Sequence, residues 1–228
     1  MRTHIMIHHS LTSDGFTVSW PAIRRFHVDT NQWLDIFVRD RMDHTTERVS
    51  VNSAGVQTRN ESVNPALSAN GRFVAFVSFA DNLVAGDTNQ LPDIFVHDRR
   101  TSQTTRVNVS SAGVQANGEA YTPSISADGR FVGFYSWANN LVANDTNGDG
   151  DVFVHDRWAQ RTKRVSVSFS AEQANSRSDD LMSISADGHW VAFSSWASNL
   201  VLGDTRQCVD EYETRFNCVD VFVRGPLP

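Results

Sequence analysis

Apolar residues along this chain come in short runs, each closed by Gly, Asn, Asp or Ser. Arg130 to Trp137 carries apolar side chains on alternate positions with a few on both faces, as a largely buried strand does. Pro123 to Ser126 precedes it, and the turn dipeptide Asp128-Gly129 joins the two as a hairpin would. A loop from Ala138 to Gly150 leads to a third run, Asp151 to His155. A turn over Asp156 to Arg161 leads to a fourth, Thr162 to Ser168. No stretch of this unit keeps a helical period, so the pattern predicts an all-β protein of four-stranded units.

The unit repeats. Asp35-Ile36-Phe37-Val38 returns as Asp93-Ile94-Phe95-Val96, Asp151-Val152-Phe153-Val154 and Asp220-Val221-Phe222-Val223, at spacings of 58, 58 and 69. Ser68-Ala69-Asn70-Gly71-Arg72-Phe73-Val74-Ala75-Phe76 returns from Ser126 and again from Ser185, at spacings of 58 and 59. Self-similarity at this period marks a repeat architecture. Four antiparallel strands per unit match a β-propeller blade with one long loop. A β-solenoid uses shorter, parallel repeats, and a sandwich would not repeat its sequence unit by unit.

The pattern S-x-D-G-R-x-V-A-F followed by D-x-F-V-x-D-R resembles the TolB-like, WD-like β-propeller repeat, from about residue 10 to residue 224. The resemblance implies a propeller of four-stranded antiparallel blades, about four in this chain. Within a single domain over 1–228 the blades fall roughly at 4–52, 53–110, 111–169 and 170–224. It also implies a secreted or periplasmic setting. The start of the chain shows no secretory pattern, because Ile5-Met6-Ile7 is its longest apolar stretch; taken alone it reads as cytoplasmic.

Strands a and b of the first blade are expected in worn form at Ile5 to Leu11 and Phe16 to Trp20. Strand d occurs only three times, so the fourth blade lacks its outer strand. A closed four-bladed ring, a homodimer completing an eight-bladed ring and a piece of a longer propeller all fit this count. The apolar edge Val221-Phe222-Val223 favours the homodimer, because such an edge is expected to be covered.

Composition narrows the function classes. With 20 Lys and Arg against 26 Asp and Glu, the formal charge is -6, which disfavours nucleic acid as a partner. No apolar run approaches the length of a membrane-spanning helix. The two cysteines, Cys208 and Cys218, flank the one large irregularity, an expansion before the fourth strand c; they would bridge it in an exported protein.

Two loop families, d-to-a and b-to-c, share one face of a propeller, and loops on a rigid scaffold carry function. Gln57, Gln115 and Gln173, and Asn82, Asn140 and Asn199, recur in these loops; a residue repeated in every blade is expected to cap loop backbone. Asp145, Asn147, Asp149 and Asp151 place side-chain oxygens at alternate positions around Gly148 and Gly150, an arrangement suited to calcium. It resembles the calcium loops of integrin propellers, though Arg157 stands where an EF-hand-like loop has its closing Glu. Asp29, Asn31 and Asp35, and Asp87, Asn89 and Asp93, keep parts of it. The alternative is an Asx-type turn network that holds strand c.

No H-E-x-x-H, G-x-S-x-G or Walker-type run is present. The candidate ligand-binding residues are Asp179 and Asp180, where a d-to-a loop departs from the repeat, His8 in the first strand a, and Trp137 and Trp196 at the end of strand b. Trp rings at such a rim suit stacking on sugars. These features point to a binding or scaffold propeller with structural calcium and a protein or glycan partner on the loop face. The alternative is a hydrolase or lyase acting on a carbohydrate or ester at the central funnel.

Overall fold

A computed structural model describes residues 10–11, 16–19, 30–205, 207–209 and 215–227. In chain order, β1 (Ser10–Leu11), β2 (Phe16–Ser19), β3 (Phe37–Asp40) and β4 (Thr46–Arg48) form the first antiparallel sheet. β5 (Ser62–Leu67), β6 (Phe73–Ser78), β7 (Asp93–Asp98) and β8 (Gln103–Arg106) form the second. β9 (Ala120–Ile125), β10 (Phe131–Ser136), β11 (Asp151–Asp156) and β12 (Arg161–Arg164) form the third. The fourth sheet holds β13 (Ser178–Ile184), β14 (Val191–Ser195) and β17 (Asp220–Arg224). The hairpin of β15 (Gln207–Val209) and β16 (Arg215–Asn217) is inserted before β17. Sheets of neighbouring strands in sequence order are propeller blades, and among the described residues the fourth has three strands, β13, β14 and β17. The stretches expected as strands at Ile5 to His9 and at Trp20 lie outside the described residues.

Burial follows strand position. The central strands β6, β7 and β10 are buried along their whole length, which is why they read as near-continuous apolar runs. The inner strands bulge: register shifts between Val63 and Ala66 in β5, and Asn64 takes a positive φ of 52° there.

Blades stack through one repeated contact. Ile36 and Val38 of β3 lie in a core with Val74 and Phe76 of β6, and Ile94 and Val96 with Val132 and Phe134. Val152 and Val154 lie likewise with Val191 and Phe193. Each such side chain contributes about 1.5–3 kcal/mol when fully buried. The inner turns are tied as well, since Ala69 N–H donates to the carbonyl of Ala127 and Ala127 N–H to that of Ala186. Gly129 at the Asp-Gly turn has a φ of 76°, and a Cβ there would lie 2.1 Å from the Phe73 ring of the blade before.

The rest of the motif is also spent on structure. Arg72 makes a two-pronged ion pair with Asp98, and Arg130 with Asp156. Arg99 and Arg157 donate to the carbonyls of Gly71 and Gly129. Blade four has His189 and Gly225 at the places of Arg72 and Asp98, so both partners of that ion pair are replaced together.

Blade four also ends the packing. Val221 and Val223 are 76% and 66% exposed, whereas the matching Ile94 and Val96 are fully buried. Among the described residues, no strand of blade four is packed on a strand of blade one as successive blades are on each other.

His97 and His155 are buried at these interfaces. Nδ1 of His155 lies 2.9 Å from Oγ1 of Thr162, whose proton goes to the carbonyl of Val109 in the previous blade. The hydroxyl must therefore accept from a neutral imidazole protonated at Nδ1. Burial pushes the His155 pKa down to about 4. Its unfolded value is near 6.5, so the unfolded chain binds the extra proton between those values and stability falls as pH drops through that window. Urea unfolding from pH 7 to pH 4.5 should show a loss of about 2 kcal/mol from this residue. His155→Gln should remove most of its share of the slope; an unchanged slope would show that another group sets it.

Candidate functional site

The two loop families do share one face. Asn82 Oδ1 accepts from Arg59 N–H while its Nδ2 donates to the carbonyl of Gln57. Asn140 bonds in the same way to Asn117 and Gln115, and Asn199 to Asn175 and Gln173. The repeated asparagines thus cap loop backbone. The glutamines are engaged too: Gln115 Nε2 donates to Asp87 and Asp93, and Gln173 Nε2 to Thr146 Oγ1.

Beneath these loops each complete blade holds a buried acid cluster. Asp151 Oδ1 accepts from Ser166 Oγ at 2.6 Å, and Oδ2 accepts from Arg164 at 3.1 Å and from Asn147 Nδ2 at 3.3 Å. Arg164 also lies 3.0 Å from Asp145 Oδ1. Blade two repeats this with Arg106 between Asp87 and Asp93, and blade one pairs Arg48 with Asp35. Burial, and then the charge of Asp151, pushes the Asp145 pKa up. Burial does the same to Asp151.

This geometry bears on calcium. Arg164 stands between Asp145 and Asp151, where an ion shared by their oxygens would sit. Asn147 forms an Asx turn, its Oδ1 accepting from Asp149 N–H and its Nδ2 donating to the carbonyl of Ala174. In this arrangement protein donors meet Asp145 Oδ1, Asn147 Oδ1 and both oxygens of Asp151, so calcium at Asp145, Asn147, Asp149 and Asp151 would have to displace them. Among the described residues no group of three or more His, Cys, Asp or Glu is set to hold a metal. The arginine was missed in the sequence although the signal was there: Asp35–Arg48, Asp93–Arg106 and Asp151–Arg164 keep a spacing of 13.

At the inner rim, where strand a begins and strand b ends, an aromatic recurs as Phe79, Trp137 and Trp196 while the side chains of strand a beside it differ from blade to blade. Trp137 is 44% exposed and meets Tyr135 edge-on at 5.9 Å. Beside it, Tyr121 donates to Glu119 at 3.1 Å, and burial and that carboxylate push its pKa up to about 12. One blade on, the indole Nε1 of Trp196 donates to Asp179 at 3.2 Å. Arg177 lies over the same ring at 5.3 Å and 3.8 Å from Asp179. Asp179 therefore orients an indole and pairs with an arginine. The structure places Trp137 and Trp196 at equivalent positions of adjacent blades, each with its own charged neighbours. Asp180 lies in β13, but its side chain is outside the described residues, and so is His8. Cys208 and Cys218 form a disulfide that staples the inserted hairpin.

No family model and no curated protein matches this chain. Solved structures do. It aligns with the tricorn protease at a TM-score of 0.55 and 14% identity, covering 97% of this chain and 18% of that one. A putative TolB from Agrobacterium tumefaciens gives 0.52 and 16%, over 96% and 61%. The β-propeller domain of the Trilobed protease from Pyrococcus furiosus gives 0.50 and 9%, over 95% and 54%. The chain thus spans less than two thirds of each, and the likeness establishes the fold alone, a β-propeller.

Removing the buried cation tests the acid cluster. Arg164→Met should cost about 3–5 kcal/mol in urea unfolding, because two buried carboxylates lose their partner. Millimolar calcium should leave the melting curve of the unaltered protein where chelator leaves it. A calcium-dependent rise would show that the ion displaces Arg164.

Proposed function

We propose that this propeller is a binding module whose ligand, a glycan or a protein surface, sits on the inner rim of the loop face. One observation carries the reading. The repeated polar residues of that face are consumed in loop capping and ion pairs, whereas the side chains beside Trp137 and Trp196 differ between blades, Glu119 and Tyr121 in one and Arg177 and Asp179 in the next. An exposed indole beside a carboxylate offers a stacking surface and a hydrogen-bond acceptor at once, which is how a sugar or a cationic peptide side chain is held. Asp179 is engaged with Trp196 and Arg177, a role in shaping the surface.

A screen of glycan and peptide arrays, followed by titration of intrinsic tryptophan fluorescence, tests it. Trp137→Ala and Trp196→Ala should each weaken binding at least tenfold, as hot-spot aromatics do, while shifting Tm by only a few degrees. Turnover of glycosides, polysaccharides or esters that falls with Asp179→Asn would replace this reading with a hydrolytic or lyase one.

A further inference from the structure

Two successive blade contacts use the same arginine and differ in what meets it. Just after β7, Arg99 donates from Nε to Glu47 in β4 of the previous blade at 2.8 Å, and from a terminal nitrogen to the carbonyl of Gly71. Just after β11, Arg157 repeats the second bond, to the carbonyl of Gly129 at 2.6 Å. The first bond has no counterpart. Glu47 lies opposite Val38 on strand c, and the residue opposite Val96 one blade on is Thr105. Arg157 therefore lacks the carboxylate that Arg99 has.

No other acid takes that place. Asp98 is near enough to act on the charge of Arg157, but both its oxygens are held by Arg72 at 2.8 and 2.7 Å. The Arg157 guanidinium lies 4.6 Å from the centre of the Phe73 ring, with that of Arg72 4.5 Å from the same ring. Burial pushes the Arg157 pKa down; Asp98 opposes this and Arg72 adds to it. Two guanidinium groups thus share one carboxylate in a half-buried site, which leaves a positive charge without a counter-charge.

Space for a counter-charge adjoins it. Thr105 and Arg157 line a cavity of about 280 Å3 between blades two and three, with Phe73, Asp98 and Trp158. Trp158 is 65% exposed, and Arg130 lies over its ring at 5.1 Å. The cavity opens on the face of the a-to-b and c-to-d turns, away from Trp137 and Trp196. Each residue that lines it falls between Arg72 and Gln160.

We propose that this cavity binds a small organic carboxylate, whose carboxyl group takes on Arg157 the place that Glu47 holds on Arg99 and whose apolar body lies against Trp158. A guanidinium meets a carboxylate through charge-assisted N–H donors in a planar fork, which suits this anion by shape as well as charge. The volume lies at the small end of ligand pockets, roughly 300–1,000 Å3, so the occupant is small. An inorganic anion would meet the charge but leave the indole uncovered.

Benzoate is the probe. Benzamide is its uncharged isostere, phosphate an anion without an apolar body, and N-acetylglutamate amide a carboxylate carried on a peptide. Benzoate should raise Tm with the logarithm of its free concentration above Kd, and benzamide and phosphate should not. Arg157→Gln should weaken benzoate binding in calorimetry at least tenfold, and Trp158→Ala severalfold. Thr105→Glu should supply the acid from within, as Glu47 does: Tm should rise without ligand and the response to benzoate should vanish. Thr105 is exposed, so this variant keeps the test valid should Arg157→Gln fold poorly. Four results would overturn the proposal: no response to benzoate up to tens of millimolar, an equal response to benzamide or phosphate, an undiminished response in Thr105→Glu, or tighter binding of N-acetylglutamate amide, which would make the occupant an acidic protein side chain.

Discussion

A buried aspartate at the start of strand c organises each complete blade. Asp35, Asp93 and Asp151 are removed from water, which is affordable only because a guanidinium and a side-chain donor from strand d meet both carboxylate oxygens. The same Ser or Asn takes the first amide of strand c, so the cluster fixes the register of c against d. Asn31, Asn89 and Asn147 then tie the b-to-c loop to the backbone of the next d-to-a loop. The loop face is rigid because the layer beneath it is an ion-paired frame.

The sequence was most legible where the repeat was strict. Asp-Gly turns and the apolar b and c strands follow from residues that recur at fixed spacing, because each solves the same packing problem in each blade. The oxygen-rich run Asp145 to Asp151 was harder to read. Alternating carboxylates and glycines specify a tight loop with inward oxygens, and whether an ion or an arginine meets those oxygens depends on a residue 13 positions beyond Asp151, on another strand. The link between Trp196, Asp179 and Arg177 was likewise hidden, since the strand pairing that joins them spans 17 residues.

The division between repeated and unrepeated residues also separates the frame of the blades from the residues that differ at the rim of the loop face. Asn, Gln, Asp and Arg that return in every blade hold loops and blades together. Tyr121, Arg177 and Asp179 do not recur, and they lie at the rim of adjacent blades near Trp137 and Trp196, which do. Blade four departs from the pattern as a block: its turn Arg and the partner Asp are replaced together, and among the described residues β17 pairs with β14 alone. The exposed valines of β17 follow from the absence of what covers their counterparts elsewhere.

The most direct test of this account is amide hydrogen exchange of the free chain, read residue by residue. The amides of Ile36, Ile94 and Val152 donate to Ser50, Asn108 and Ser166 and should exchange slowly. The equivalent amide of Val221 faces the open edge and should exchange orders of magnitude faster. Protection of Val221 equal to that of Ile94 would contradict the account, because it would mean that the fourth blade is already complete.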